Sequence, residues 1–374
     1  MMLPSVPKSL GRLSEVFNSA MMSLTGTSNT LQLGKARSSC VILVDGLGSR
    51  NLLHRSGHAP KLVRQLEKDG SILVGFPTTT ATSLTSFATG VQGGEHGIIG
   101  YEIFDRNLGR PVNLLTGLSD AQAENGYQPI PTASGNAKSK NLQVHFVGAP
   151  EFENSTFTKI TMPEAQYHAG KSVEDRFAIA RKLLTQGKGA LVYLYISELD
   201  SKAHAFGADS VEWLEQLELL ESQVGKLIAV LPKDAGVLLT ADHGVIDVAR
   251  EKQIYLDEFQ FTKNLVNVAG DPRVNFLYFN QEPEPNLISN LRDWLHKRAY
   301  VVSRQQMIES GWYGPVSKAA AHRMPDVFII ARGETAIYHR DFAKPHSLKM
   351  IGQHGGIDNE ELTVPLLRFG AFQK

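Results

Sequence analysis

The 374-residue chain lacks several features that would indicate other classes of protein. It has one cysteine, Cys40, so no disulfide can form within the chain, which favours a reducing compartment. No apolar run approaches the ~20 residues that a membrane-spanning helix needs. The first forty residues contain no apolar run of signal-peptide length. We therefore expect a soluble, cytoplasmic protein without a membrane partner.

The sequence also lacks an excess of charge of either sign, because 38 Lys and Arg residues balance 38 Asp and Glu residues. Such a balance gives no electrostatic reason to expect a nucleic-acid polymer as partner, although a small charged substrate needs only local charge. Internal repeats and low-complexity tracts are absent. With 42% apolar residues, the chain can form one large or two ordinary domains, and its oligomeric state is left open.

Short apolar runs that end in turn residues alternate with helical patterns. The runs predict buried strands over residues 40–45, 142–148, 190–196 and 236–242. Amphipathic spacing predicts helices over residues 9–24, 59–69, 173–186 and 209–231. This alternation predicts an α/β fold with a central, mostly parallel sheet that carries helices on both faces.

Two further segments bear on the domain organisation. Residues 246–345 predict a smaller α/β element that is inserted before the chain returns to the core. The core would then consist of residues 1–245 and 346–374. Residues 116–140 are polar and rich in Gly, Pro and Ser, which indicates a long surface excursion rather than a domain break.

Acidic residues and histidines follow three of the predicted strands, and one more histidine lies between glycines. These six residues are Asp45, Asp200, His204, Asp242, His243 and His354. Ligands of parallel sheets bind beyond the carboxyl ends of the strands, so the side chains are expected to meet there. Three carboxylates and three imidazoles suit a pair of metal ions, zinc best, with manganese or iron acceptable. Two such ions form a clamp for displacement at phosphorus.

Each of these residues has a simpler interpretation when it is taken alone. An aspartate at the end of a strand is commonly a helix cap or a turn residue. The Asp-x-x-x-His spacing of Asp200 and His204 is common on solvated helices, and His354 could belong to a turn. Their joint position on one side of the predicted sheet is what favours a metal site.

Residues 77–90, "PTTTATSLTSFATG", contain an unusual density of hydroxyl side chains. Taken alone, this segment resembles a Ser/Thr-rich helix cap. Beside metal ions, however, one hydroxyl could serve as a nucleophile, because coordination lowers its pKa and a helix amino end favours negative charge.

Five short stretches together resemble the alkaline phosphatase superfamily, and most closely its nucleotide pyrophosphatase/phosphodiesterase branch. They are "VDGLGSRNLL", "PTTTATSLTSFATG", "ELDSKAHAFG", "TADHG" and "GQHGG". Single pieces such as "DHG" have little specificity, whereas the set is highly specific and is spread over nearly the whole chain. The resemblance implies an alkaline phosphatase-like fold.

The resemblance also implies the roles of particular residues. Two zinc ions would be held by two trios, Asp200, His204 and His354 for one, and Asp45, Asp242 and His243 for the other. The family's nucleophile begins a helix, and counting back from Gly90 places it at Thr80, whose hydroxyl would also touch an ion. Ser83 occupies the place of an asparagine that contacts the phosphoryl group in this branch, so Ser83 is a candidate substrate contact.

The implied activity is two-metal hydrolysis of a phosphoric ester through a phospho-threonine intermediate. A nucleotide pyrophosphatase/phosphodiesterase is favoured, with a small phosphorylated molecule such as a nucleotide as substrate. Departures from the branch at Ser83 and Tyr101 leave a phosphomonoesterase, a mutase or a phosphonate hydrolase open. A catalytically silent metal- or phosphate-binding protein is the alternative from another class.

A sulfatase is disfavoured because Cys40 lacks the required Cys/Ser-x-Pro-x-Arg motif. A cofactor-independent phosphoglycerate mutase is disfavoured because it uses serine and a large inserted domain.

Overall fold

The computed structural model describes residues 3–8, 10–120, 122, 126–186, 189–261 and 264–373. Its strands are β1 (Ser38–Val44), β2 (Ser71–Leu73), β3 (Glu102–Asp105), β4 (Arg110–Asn113), β5 (Gln143–Gly148), β6 (Gln166–Ala169), β7 (Ala190–Ile196), β8 (Ala235–Ala241), β9 (Ile246–Asp247), β10 (Gln253–Tyr255), β11 (Leu265–Asp271), β12 (Val274–Phe279), β13 (Ala299–Ser303), β14 (Val327–Ala331), β15 (Ala336–Tyr338), β16 (Gly352–Gln353), β17 (Thr363–Pro365) and β18 (Leu367–Gly370).

Its α-helices are α1 (Val16–Thr25), α2 (Ser49–His54), α3 (Pro60–Asp69), α4 (Thr80–Thr89), α5 (Gly93–His96), α6 (Ala133–Lys138), α7 (Thr156–Thr161), α8 (Val173–Gln186), α9 (Glu198–Phe206), α10 (Val211–Ala229), α11 (Leu287–Leu295), α12 (Arg304–Ser310), α13 (Lys318–Arg323) and α14 (Asn359–Leu362). Within the described residues, no helix combines the length and the apolarity needed to cross a bilayer.

A six-stranded sheet forms the centre of the molecule, in the order β18-β8-β1-β7-β5-β6. All neighbouring pairs are parallel except β18 with β8. Every residue of β1, β7 and β8 is buried, so both faces of the sheet are covered. Helix α1 packs against β1, and α8 packs against β7. This arrangement confirms the predicted α/β fold with a central, mostly parallel sheet.

The predicted strands and internal helices lie within two residues of the observed bounds. The predicted amino-terminal helix begins later than expected, at a 3₁₀ turn over Leu13–Glu15 that continues into α1. Tertiary pairing explains the difference, because the Gly11 carbonyl accepts a hydrogen bond from the Leu73 amide and holds the preceding chain extended. Residue 9 of that prediction lies outside the described residues.

The segment predicted as a surface excursion, residues 116–140, contains the short helix α6. The Thr132 side chain caps this helix, and Ala133 and Ala137 are buried on its inner side. Part of the segment therefore packs on the core, whereas residues 121 and 123–125 of the prediction lie outside the described residues.

A second, antiparallel sheet has the order β11-β12-β14-β13. One set of its side chains, including Leu277 and Ile329, packs with Leu291 of α11 in a small separate core. Another set, including Phe276 and Phe328, belongs to the main core of the molecule. The division of the chain at residues 246–345 stays a prediction.

Candidate active site

The three strands that precede the predicted metal ligands are neighbours in the central sheet, in the order β8-β1-β7. Because they are parallel, their carboxyl ends lie at the same edge. Asp45 directly follows β1, Asp242 and His243 directly follow β8, and Asp200 lies in the first turn of α9 after β7. His354 follows β16 and reaches the same place from a later part of the chain.

Asp45, Asp242 and His243 form the first group of side chains at this edge. One ligand atom from each lies within 4.8 Å of the others, and all three residues are buried. The Nε2 atom of His243 lies 3.3 Å from Oδ1 of Asp45 and 3.7 Å from Oδ2 of Asp242. The structure thus brings together the residues of one predicted trio.

The second group centres on Asp200. Its Oδ2 lies 3.1 Å from Nε2 of His204, and its Oδ1 lies 3.9 Å from Nε2 of His354. The most compact arrangement, with all ligand atoms within 4.8 Å, joins Asp200 and His354 with His243 rather than His204. The rings of His243 and His354 stack with centroids 3.7 Å apart. The six side chains therefore form one continuous cluster, and their division into two trios stays a prediction.

The carboxylates of this cluster fit a metal site because each keeps one buried oxygen without a hydrogen-bond partner among the described residues. These atoms are Oδ1 of Asp45, Oδ1 of Asp200 and Oδ2 of Asp242. The opposite oxygens are occupied: Asp45 Oδ2 accepts from the Tyr195 hydroxyl, and Asp242 Oδ1 accepts from the Gly46 amide at 3.2 Å. Buried anionic oxygens without partners are costly, and a cation would remove that cost.

The histidines are held in the orientation that metal coordination requires. The Nδ1 atoms of His204, His354 and His243 lie 2.7, 2.9 and 3.3 Å from the carbonyl oxygens of Gly352, Thr78 and Gly244, respectively. A carbonyl only accepts, so each Nδ1 carries a proton and each Nε2 faces the carboxylates. Such outer hydrogen bonds are typical of metal-ligating imidazoles.

The charges at this edge interact strongly. Burial opposes the protonation of His243, but Asp242 and Asp45 outweigh it and raise the pKa of His243 to about 10. Burial also opposes protonation of His204, and Asp200 raises its pKa to about 9. Burial and the charge of Asp45 raise the pKa of Asp242 well above its usual value. Protons thus balance the negative charge of the cluster, and metal ions would displace them.

Thr80 is the first residue of α4, and its side chain lies beside the cluster. Its Oγ1 is 3.2 Å from Nε2 of His243, and the residue is 8% exposed. The amino end of α4 directs unpaired amides and a favourable field toward this oxygen. Of the hydroxyls in residues 77–90, the structure places that of Thr80 on the wall of the adjoining cavity.

A cavity of about 400 Å³ opens beside Thr80 and the metal-ligand candidates. Its other walls include Tyr101, Glu102, Asp271, Tyr338 and His339, of which the last three come from residues 246–345. No role in the site was predicted from the sequence for that segment.

Ser83 is fully buried and is not among the described residues that line this cavity. Its hydroxyl oxygen has no hydrogen-bond partner within the described part of the chain. The substrate contact suggested for Ser83 stays a prediction without support from its position. Tyr101, by contrast, lines the cavity.

The fold and these buried Asp/His groups define an α/β protein of the alkaline phosphatase type. The family model for type I phosphodiesterase / nucleotide pyrophosphatase matches residues 39–357. The chain therefore belongs to this family, as the five sequence stretches indicated.

Individual relatives agree with this assignment. The chain is 25% identical over 242 residues to bovine (Bos taurus) ectonucleotide pyrophosphatase/phosphodiesterase family member 3, which covers 60% of the chain and 27% of that protein. The chain thus spans about a quarter of the length of this relative and of venom phosphodiesterase 2 from Crotalus adamanteus.

Solved structures show the same fold. An inactive variant of murine ectonucleotide pyrophosphatase/phosphodiesterase 5, in complex with AMP, has a TM-score of 0.66, 18% identity and coverage of 89% of this chain and 88% of that one. Phosphonoacetate hydrolase from Sinorhizobium meliloti 1021, in complex with phosphonoacetate, has a TM-score of 0.68, 17% identity and coverage of 90% and 91%.

Proposed function

We propose that the protein is a metal-dependent hydrolase of phosphoric esters, with phosphodiesters such as nucleotide derivatives as substrates. The observation that carries the proposal is the set of three partnerless carboxylate oxygens beside the Thr80 hydroxyl and an open cavity. Membership of the phosphodiesterase family and the AMP complex of the murine relative support it. A purely structural role would leave those buried oxygens without a hydrogen-bond partner among the described residues.

Six residues would hold two divalent ions, for which zinc suits the mixed carboxylate and imidazole set best. They are Asp45, Asp200, His204, Asp242, His243 and His354. When bound, such ions lower the pKa of a nearby hydroxyl and stabilise charge on oxygens around phosphorus. The number and identity of the ions are part of the proposal.

The chain's own residues would perform the reaction in two displacements. The Oγ1 of Thr80 forms a bond to phosphorus while the bond to the leaving oxygen breaks, and the proton of the Thr80 hydroxyl passes through water to the leaving oxygen. The amino end of α4 stabilises the anionic oxygen and the bound phosphate. Water then cleaves the bond between phosphorus and Thr80 Oγ1, which releases the phosphorylated product and restores the hydroxyl.

The test is the pair Thr80→Ala and Thr80→Ser, assayed with bis-p-nitrophenyl phosphate and p-nitrophenyl phosphate. Thr80→Ala should lower kcat on the order of a thousandfold or more. Thr80→Ser keeps a hydroxyl and should retain measurable turnover. Both variants should keep the zinc content of the parent, which shows that the site is intact. Full activity of Thr80→Ala would refute this nucleophile, and a preference for the monoester would refute the diesterase.

Cytoplasmic location is part of the same proposal, supported by a single, buried cysteine. Fractionation of the native host would test it, and recovery of the protein outside the cytoplasm would contradict it.

A further inference from the structure

One carboxylate on the cavity wall takes no part in the proposed metal site. Asp271 ends β11 and lines the same cavity as Thr80. Its Oδ2 is shielded from solvent and has no hydrogen-bond partner among the described residues. A buried carboxylate oxygen without a partner is costly, so a hydrogen-bond donor that a ligand brings to this carboxyl group would lower that cost.

Asp271 lies close to the reacting end of the cavity. Gly355 follows the metal-ligand candidate His354, and a Cβ added at Gly355 would come within 3.2 Å of the Cβ of Asp271. Gly355 has a φ of +124°, a conformation that favours glycine, and its lack of a side chain permits this approach. The charge of Asp271 also contributes, after burial, to the raised pKa of Tyr101, another wall residue. Asp271 is therefore placed to contact a group of the substrate that lies close to the reacting phosphorus.

The charges on this wall favour a positive substituent. Outside the metal-ligand candidates, the described lining residues include the carboxylates of Asp271, Glu102 and Glu151, one lysine and no arginine. The Nζ of Lys344 lies 3.3 Å from Oε2 of Glu102, so this cation is already paired. Burial lowers the pKa of His339, which disfavours a positive charge on this imidazole. Among the described lining residues, a second phosphate group would find no unpaired lysine or arginine.

Burial raises the pKa of Asp271 to about 8. Without a bound ligand this carboxyl group is therefore mostly protonated at neutral pH, although the charges of His204 and His243 oppose the rise in its pKa. A positively charged hydrogen-bond donor would stabilise its ionised form, and no described residue donates a hydrogen bond to its Oδ2. A protonated amine meets both requirements, since it carries charge and N–H donors.

We propose that Asp271 selects the substrate by accepting a hydrogen bond from a protonated amine close to the reacting phosphorus. The substrate class is then phosphodiesters that carry a short aminoalkyl group, rather than pyrophosphates with a second phosphate. This inference rests on the proposed function and narrows it.

The first experiment compares two esters on the zinc-loaded full chain. p-Nitrophenyl 2-aminoethyl phosphate and p-nitrophenyl propyl phosphate have the same shape but differ in the amine. We expect kcat/KM to favour the aminoethyl ester about tenfold or more, the size of one charged hydrogen bond. Equal values would overturn the inference. The trimethylammonioethyl ester has the charge but no N–H donor. Equal kcat/KM values for it and the aminoethyl ester would show that charge alone causes the preference, which would contradict the proposed hydrogen bond.

A matched pair of variants assigns the preference to Asp271. In Asp271→Asn the ratio of the two kcat/KM values should fall about tenfold, because the anionic acceptor is lost. Glu102→Gln removes a carboxylate from the same wall whose charge Lys344 already balances, so the ratio should change less than about threefold. Equal effects of both variants would contradict the assignment. Thermal melting verifies that each variant is folded.

A binding experiment separates failure of this inference from failure of the proposed function. Calorimetric titration of the zinc-loaded chain with 2-aminoethylphosphonate and with propylphosphonate needs no turnover. A lower Kd for the aminoethyl compound, lost in Asp271→Asn, supports the role of Asp271 even if neither ester is hydrolysed. Equal Kd values overturn that role even if hydrolysis proceeds.

Discussion

At the scale of single residues, Thr78 connects the nucleophile to a metal-ligand candidate. Its carbonyl oxygen accepts from His354 Nδ1 at 2.9 Å. Its hydroxyl donates to the Gly356 carbonyl and accepts from the Gly355 amide, both at 3.0 Å. Thr78 lies two residues before Thr80, so these bonds fix the position of His354 relative to the proposed nucleophile.

Thr78→Val keeps the shape of the side chain but removes the two hydroxyl bonds. We expect the affinity for zinc to fall about tenfold, as for other residues that orient metal ligands. Zinc titration in competition with a chromogenic chelator measures it. Thr85→Val is the matched control, since the buried Thr85 hydroxyl bonds, among the described residues, only to the Ala81 carbonyl within α4. Equal losses in both variants would show that Thr78 has no special role.

At the scale of secondary-structure elements, a buried ion pair attaches the His354 loop to the second sheet. Arg273 precedes β12, and its Nε and Nη2 lie 3.1 and 2.7 Å from the carboxylate oxygens of Glu361 in α14. The same carboxylate accepts from the Gly356 amide at 2.8 Å, and the Glu361 carbonyl accepts from the Gly244 amide at 3.0 Å. Glu361 therefore joins the loops that carry His243 and His354.

Glu361→Gln should lower the free energy of unfolding by about 3 kcal/mol, because a buried guanidinium loses its main counter-charge. Urea denaturation monitored by tryptophan fluorescence measures the change. The neighbouring Glu360 pairs with Arg50 at the surface, with 34% of its side chain exposed. Glu360→Gln should cost less than about 1 kcal/mol. Similar costs for both substitutions would contradict the anchoring role.

The sequence allowed good prediction of the elements that position the proposed metal ligands. Strands such as β7 are short, apolar and buried along their whole length, so their composition marks them. The common position of the proposed metal ligands could then be predicted, because parallel strands end at the same edge of the sheet. The wall that carries Asp271 was not predicted, since an antiparallel turn has no distinctive composition. Ser83 lies three residues into α4, a helix in which every residue is buried, and residue spacing alone did not reveal that environment.

At the scale of the whole molecule, His96 makes stability depend on pH. The residue is fully buried, and burial lowers the pKa of His96 from 6.5 to about 3. The Ile98 amide donates to its Nδ1 at 3.2 Å, so the ring is neutral, and Nε2 lies 2.9 Å from the Ser86 hydroxyl. The unfolded chain binds this proton below about pH 6.5, whereas the folded chain does not. The His96 contribution to stability is complete above that pH and is lost as the pH falls toward 3.

His96→Gln should therefore reduce the loss of unfolding free energy between pH 6 and pH 5 by about 1 kcal/mol relative to the parent. Urea denaturation at closely spaced pH values gives both slopes. Comparing the slopes removes any change in the free energy of unfolding that the substitution causes equally at every pH. Identical slopes would show that His96 binds its proton equally in both states.

The central claim is that six side chains from distant parts of the sequence hold two divalent ions beside Thr80. Anomalous X-ray diffraction at the zinc edge, on crystals of the zinc-loaded chain, tests it most directly. We predict two anomalous peaks, one between Asp45, Asp242 and His243 and one between Asp200, His204 and His354. Peaks elsewhere, or no peak among these residues, would contradict the account.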